Sequence, residues 1–295
     1  MSKCIGCGIS LQNENKNNLG YTKNLDNKYC ERCFKTIHYN EERKIENVDN
    51  SKIINKINKF GYFTIFITDL ISINKGLINV FKNIKNDKLL VINKCDIIPD
   101  NLKLEHIEEN IKNSFNIDDD ICFISAKRNL YLNKIINKIE EYKTVILCGE
   151  TSSGKSTLIN NLIGSNLTTS KYSNTTLDFI KLKYLEYTIY DSPGIIINEN
   201  KKSIENIKIL TKQLKDDYIL NVDDLKIRTN GNVTLFVTDD VNIKTKKEKI
   251  NLDNKINISK SSDLELKNGG FIFVKNPCII EANLNLDVRD SIIGK

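Results

Sequence analysis

Residues 144–163 read TVILCGETSSGKSTLINNLI, an apolar run of strand length, a glycine-bracketed polar loop and an apolar-periodic segment in immediate succession. The loop from Gly149 to Ser156 fits G-x-x-x-x-G-K-[ST], and strand before and helix after are the context that pattern requires. In such a loop the backbone N–H groups close around phosphate oxygens and the helix N-terminus adds partial positive charge. Lys155 is placed to neutralise the β- and γ-phosphates, and the Ser156 hydroxyl to reach Mg²⁺. Gly149, Ser152, Ser153, Gly154, Lys155, Ser156 and Thr157 are the expected phosphate-binding residues. The stretch predicts a nucleoside triphosphate site at the edge of a parallel sheet.

Working outward, YFTIFITD (62–69), KLLVINK (88–94) and ICFIS (121–125) are near-continuous runs of β-formers, as strands buried on both faces should be. Between them Leu77–Ile84, Leu104–Phe115 and Leu130–Tyr142 carry apolar residues at spacings of three and four, so alternating strands and helices predict an α/β sheet with helices on both sides. Asn93-Lys94-Cys95-Asp96 closes the second strand. The Asp96 carboxylate can accept from both N1–H and the exocyclic amine of guanine, donors adenine does not present together, while Asn93 and the Lys94 stem hold the pocket. Ser125-Ala126-Lys127, at the end of the next strand, supplies a backbone donor toward guanine O6 and a lid over the base. The expected ligand is GTP.

Asp191-Ser192-Pro193-Gly194 ends the strand YTIYD and supplies an acid for a water-mediated Mg²⁺ contact, with the Gly194 N–H facing the γ-phosphate. Upstream, Asn174-Thr175-Thr176-Leu177 offers a hydroxyl for Mg²⁺ and the γ-phosphate, assigned to Thr176; the alternative is a Thr pair satisfying a turn. Lys155, Thr176, Asp191 and Gly194 are the expected catalytic set. Ordinary GTPases run phosphate loop, Thr switch, DxxG, NKxD, SAK. Here NKCD and SAK precede the phosphate loop, so the order is circularly permuted and the DSPG switch leads straight into the C-terminal part. Ile195 follows Gly194 in place of the Gln that orients water in Ras-like enzymes, which predicts slow intrinsic turnover.

Cys4-x2-Cys7 and Cys30-x2-Cys33, 22 residues apart, have the spacing of a four-sulfur zinc site, with redox disulfides as the alternative. Such a metal would hold a polar segment that lacks a core. His38 is expected to be structural or a surface contact, and Cys95, Cys122, Cys148 and Cys278 to be buried thiols. The 295 residues are 40% apolar and 28% charged with a net charge of +6, which fits a globular chain and permits a polyanionic partner. No apolar run reaches the roughly 18 residues of a membrane span. The start, MSKCIGCG, has no room for an export signal, so a reducing, cytoplasmic setting is expected.

From about residue 217, runs such as NVTLFVTD, GGFIFVK and CIIEANLNLDVRD predict a small β-rich domain, after a helix expected over Ser203–Leu214. The cluster KTKKEK (244–249) reads as a solvated loop, with an RNA-contacting patch as the alternative. The expected domains are a zinc module at 1–48, a permuted GTPase domain at 49–216 and a β-rich domain at 217–295.

Taken in this order, CIGCG, YCERCF, HYN, NKCD, SAK, GETSSGKST, NTTLD and DSPG resemble the YqeH family of circularly permuted GTPases over roughly residues 1–200. The resemblance implies a circularly permuted P-loop GTPase domain with an N-terminal four-cysteine zinc module and a small β-rich C-terminal domain, using GTP, Mg²⁺ and Zn²⁺. It implies GTP hydrolysis coupled to assembly of the small (30S) ribosomal subunit, with ribosomal RNA or pre-ribosomal particles as partners and neither membrane nor DNA. A nucleotide-gated RNA-binding scaffold, with hydrolysis incidental, is the competing reading. In the family an Asn of the phosphate loop helps hold a K⁺ ion; this chain has Ser152 there, and Ser173-Asn174 where the Thr switch usually follows Pro-Gly.

Overall fold

In the computed structural model, which describes residues 2–39, 49–163, 178–197, 206–267 and 269–294, the buried apolar runs form a six-stranded sheet. Its strands are β1 (Phe63–Asp69), β2 (Lys88–Asn93), β3 (Asp120–Phe123), β4 (Thr144–Gly149), β5 (Ile180–Tyr184) and β6 (Tyr187–Asp191), in the order β3-β2-β1-β4-β6-β5. All pairs are parallel except β5 with β6. Every residue of β1 is buried, which is why its sequence is made of β-formers with apolar residues on both faces rather than alternating apolar and exposed polar ones. One face packs Ile65, Ile67 and Leu147 against α5 (Asn133–Tyr142) and α6 (Lys155–Ile163) through Ile135, Ile139, Leu158 and Ile159. On the other, Phe66 meets Phe81 of α3 (Lys75–Lys82) edge-on, ring centroids 5.5 Å apart.

Two short helices lie in segments where no helix is expected. One is α1 (Glu31–Tyr39), which begins just after Cys30; the other is α2 (Asn50–Phe60). Asp49 caps α2 by accepting from the Ser51 and Lys52 amides, Gly61 ends it in the left-handed region, and Ile53, Ile54 and Ile57 are its buried face. The cysteine segment docks on the start of β5. Asp178 N–H donates to Cys7 O (3.2 Å), and the Asp178 carboxylate takes Lys3 Nζ at 3.0 Å and Lys56 Nζ of α2 at 2.6 Å. Burial works to raise that carboxyl, but Lys56, Lys3 and the Phe179 N–H outweigh it and bring it to about 2.

The chain divides into two compact units, residues 1–96 with 119–203, and residues 97–118 with 204–295. The second contains ten antiparallel strands: β7 (Ile207–Leu214), β8 (Tyr218–Val222), β9 (Leu225–Arg228), β10 (Gly231–Thr238), β11 (Ile243–Lys247), β12 (Asn254–Ile258), β13 (Ser262–Glu265), β14 (Phe271–Val274), β15 (Cys278–Ala282) and β16 (Val288–Asp290). They form two sheets, β16-β13-β14-β10-β7 and β11-β8-β9-β15-β12, whose inner residues, Leu235, Leu264 and Ile272 with Leu220, Ile227 and Ile280, share one core. The helix α4 (Leu104–Phe115) belongs to this unit although it lies between β2 and β3 in sequence. Ser114 Oγ donates to Asp290 O (2.9 Å), Asn110 Nδ2 reaches Ile292 O (3.4 Å), and the Arg289 guanidinium lies 5.4 Å over the Phe115 ring.

Three expectations are corrected. Residues 207–214 are a strand, not the end of a helix, because eight consecutive residues pair with β10; Ser203 itself lies outside the described residues. The β-rich part therefore begins before residue 217 and also takes in α4, so the expected boundary after 216 does not hold. Residues 244–247 of the lysine cluster are not a loop but part of the edge strand β11, paired with β8 and presenting Lys244, Lys246 and Lys247 to solvent. Lysines on an edge strand discourage pairing with another chain.

Candidate nucleotide site and metal centre

The phosphate-loop pattern lands where a parallel sheet presents ligands, at the carboxyl ends of its strands. Gly149 ends β4 at φ 150°, where a Cβ would lie 2.0 Å from Ile67 O, so the close approach of β4 to β1 admits only glycine. Gly154, at φ 92°, would place a Cβ 2.2 Å from Asn93 Nδ2. α6 begins at Lys155, so its N-terminal amides face the loop. The Ser152 and Ser153 hydroxyls are buried with no hydrogen-bond partner, an arrangement suited to a ligand with many acceptor oxygens. Ser156 and Thr157 are half-buried in the first turn of α6.

The base-recognition motifs converge on this loop through Asn93. Its Nδ2 donates to Ser153 O (2.7 Å) and its Oδ1 accepts from the Ala126 N–H (2.9 Å), so one carboxamide joins three motifs that are far apart in sequence. The Ala126 amide of the SAK triplet is thereby turned to Asn93. Ser125 Oγ accepts from the Arg128 N–H at 3.1 Å, while Lys127 is exposed. Lys94 Nζ donates to Ser152 O (2.9 Å) and Asp69 Oδ2 (3.1 Å). Asp96 has Oδ1 buried without a partner and Oδ2 3.4 Å from Arg128 Nε. An orphaned carboxylate oxygen beside a phosphate loop is what guanine N–H donors would satisfy.

At the switch, Asp191 ends β6. Its carboxylate accepts a short hydrogen bond from Lys155 Nζ, which also donates to Ser192 O (2.7 Å). Lysine and acid thus face the same point, where a triphosphate and Mg²⁺ would meet them with Ser156. The chain after Gly194 pairs with the phosphate loop: Ile195 N–H donates to Gly149 O and Thr151 N–H to Ile195 O, both at 2.9 Å. Thr176, with Ser173 to Leu177 around it, lies outside the described residues.

Two residues not foreseen from the sequence support the site. Asp69, buried at the end of β1, accepts from Lys94 Nζ, from the Ser72 N–H (3.0 Å) and from Ser72 Oγ (2.6 Å). The signal for it is a carboxylate closing the apolar run FTIFITD at the ligand edge of the sheet. Asn161 of α6 donates to Ala126 O and to Asn129 Oδ1, fixing the SAK turn to the helix.

Cys4, Cys7, Cys30 and Cys33 come together with all four sulfurs buried and within 4.8 Å of one another, the one such cluster among the described residues. Four thiolates about 2.3 Å from a tetrahedral Zn²⁺ sit roughly 3.8 Å apart, and Cys7 Sγ lies 3.9 Å from Cys30 Sγ. The Cys30 N–H donates to Cys4 Sγ (3.3 Å), as expected where a sulfur carries negative charge. Hydrogen bonds among the four sulfurs lower the Cys4 and Cys30 thiols and raise those of Cys7 and Cys33, so without a cation the cluster shares its protons rather than carrying four thiolates. This donor set fits Zn²⁺. His38 is not part of it and packs its ring against Phe34, centroids 4.4 Å apart. Burial pushes the Cys95 thiol up to about 11 and Cys148 higher, which leaves neither a nucleophile.

The sequence profile described as RsgA GTPase matches residues 35–201, more than half of the chain, and that described as 50S ribosome-binding GTPase matches residues 144–265. Among curated proteins, the uncharacterized protein YqeH of Bacillus subtilis (strain 168) is 34% identical over 251 residues, covering 74% of this chain and 69% of its own. Among solved structures, the GDP-bound TM YlqF and the GNP-bound YlqF from T. maritima give TM-scores of 0.32 and 0.34 at 14% and 16% identity. They align over 49% and 50% of this chain, which spans 58% of the length of each. No helix among the described residues is long and apolar enough to cross a membrane.

Proposed function

Because the chain belongs to the YqeH family of circularly permuted GTPases, we propose that it binds GTP with Mg²⁺, hydrolyses it slowly, and acts as a nucleotide-dependent switch in assembly of the small ribosomal subunit in the cytoplasm. The observation that carries the nucleotide reading is the meeting of three sequence-distant motifs at Asn93, with the unpartnered Asp96 oxygen beside them. Lys155, Ser156 and Asp191 hold phosphates and metal; Asn93, Lys94, Asp96 and the turn from Ser125 to Lys127 hold the base. Thr176 is the residue we assign to complete the switch, its hydroxyl serving Mg²⁺ and the γ-phosphate.

Phosphoryl transfer has a loose transition state, so the protein mainly positions groups and stabilises charge. The residue after Gly194 is Ile195, fully buried and apolar, and it offers no polar group to orient water. Turnover by the protein alone is therefore slow and rises on a ribosomal particle. Ser152 stands where the family has the Asn that helps hold K⁺, and comparing turnover in K⁺ and in Na⁺ reads whether this chain uses the ion.

Co-sedimentation with separated 30S and 50S subunits, in GDP and in a non-hydrolysable GTP analogue, tests the reading. Nucleotide-dependent association with 30S is expected; association with 50S alone moves the site of action to the large subunit, and fast turnover by the pure protein refutes the need for a partner.

A further inference from the structure

The permutation cuts the chain at a place the sheet makes explicit. Followed through space in the ordinary order, the route from β6 and the DSPG switch continues into the helix that precedes β1, which in this chain is α2. Here the two are separate: the switch runs on toward residue 197, while α2 starts at Asn50, 146 positions before Ile196. The new connection that compensates, between α5 and β4, is the single residue Lys143, at φ 60°.

Across the cut, one side chain makes two hydrogen bonds to one residue. Asn50 Nδ2 donates to Ile196 O at 2.7 Å, and Asn50 Oδ1 accepts from the Ile196 N–H at 3.1 Å. This is the donor–acceptor pairing a neighbouring strand would offer, supplied by a carboxamide. On its other side the same stretch is held by the phosphate loop through Ile195, so Gly194 lies between two anchors, Asp191 at the end of β6 and the doubly held pair 195–196. α2 does not need Asn50 for its own stability: Asp49 is its cap, and Ile53, Ile54 and Ile57 bury its apolar face.

We infer that Asn50 is a positioning residue that rejoins the switch to α2 without a covalent bond, and so holds the Gly194 amide where a γ-phosphate meets it. The inference rests on the GTP reading for its consequence but not for its geometry. Chain continuity is gone at this point, so the two hydrogen bonds, which can open and close, are what ties Ile196 to the start of α2. The role is directional: losing the tie weakens a ligand that needs the Gly194 amide and spares one that does not.

The test compares the wild-type protein with Asn50→Ala, Asn50→Asp and Asn58→Ala. Asn58 lies on the same helix and makes a similar side-chain clamp, to Asn83 O (3.1 Å) and the Lys85 N–H (2.9 Å), away from the switch. Hydrogen exchange over residues 192–197 is measured in the nucleotide-free protein, and affinities for GDP and for a non-hydrolysable GTP analogue are measured by calorimetry. For Asn50→Ala, Ile196 should exchange about tenfold faster and the analogue bind roughly fivefold more weakly, with GDP within about twofold, as expected for loss of two ordinary hydrogen bonds. Asn50→Asp, which keeps the acceptor and loses the donor, should fall between, and Asn58→Ala should show neither change. Unchanged Ile196 exchange in Asn50→Ala overturns the tie, as does an equal shift of the analogue-to-GDP ratio in Asn58→Ala. If wild-type protein binds neither nucleotide, the GTP reading and the γ-phosphate role fall together, while the exchange rates still decide whether the tie exists.

Discussion

Replacing Asp96 by Asn isolates the base-recognition chemistry with almost no change of shape. In the structure the Asp96 side chain is 7% exposed, Oδ2 is 3.4 Å from Arg128 Nε, and Oδ1 is buried without a partner. Guanine presents N1–H and an exocyclic N–H side by side, and a carboxylate accepts both; hydrogen bonds to a charged group are worth about 1.5–3 kcal/mol each. The amide of Asp96→Asn keeps one acceptor and turns a donor toward the second N–H, so at least one charged bond is lost. The expected loss is about 3 kcal/mol, or roughly 150-fold in Kd for GTP. Loss of the Arg128 pair adds little, because that guanidinium is 66% exposed. Xanthosine triphosphate carries a carbonyl where guanine has the amine, so it should bind the variant far better than it binds the wild type. Calorimetry with GTP, XTP and ATP on both proteins reads this directly. GTP affinity within threefold of wild type, or tight ATP binding by the wild type, refutes the assignment of Asp96 to the base.

Asp69→Asn removes the charge that fixes Lys94 against Ser152 O and should weaken GTP by about tenfold while leaving the fold intact, checked by binding and by circular dichroism. Gly154→Ala drives a methyl into Asn93 Nδ2, separating the phosphate loop from the base motifs, and should abolish nucleotide binding measured by fluorescence of a labelled GTP. Cys33→Ala should lower zinc content measured by plasma emission and expose residues 2–39 to limited proteolysis, since the four sulfurs with Leu11, Ile9 and Tyr29 are that segment's whole core. Cys95, with its thiol pushed up to about 11, is mostly protonated at pH 8, so iodoacetamide should label it on the order of 100-fold more slowly than a free thiol; mass spectrometry of the labelled protein checks this.

The motifs of the candidate site were legible because they are written as contiguous residues with fixed local geometry. A strand, a glycine-bracketed loop and a helix need only neighbours in sequence, and the fully buried strands β1, β2 and β4 betray themselves by unbroken apolar runs. The four cysteines were legible for the same reason, since each pair is local, the first on a turn and the second at the start of α1. The permuted order was a matter of reading motifs along the chain.

Tertiary structure alone decided what depends on partners distant in sequence. IKILTKQL has apolar residues at spacings that suit either period, and it became β7 because β10 offers an eight-residue ladder; local propensity is a weak prior against such pairing. IKTKK became an edge strand for the same reason, its lysines exposed. α4 has ordinary helical periodicity, but nothing in its sequence says that it joins the C-terminal sheets rather than the domain on either side of it. Asp69 and Asn50 look like a strand end and a polar helix start until the fold brings Lys94 and Ile196 to them. A motif encodes the groups that touch a ligand; the groups that hold those groups in place are chosen by packing, which no local pattern records.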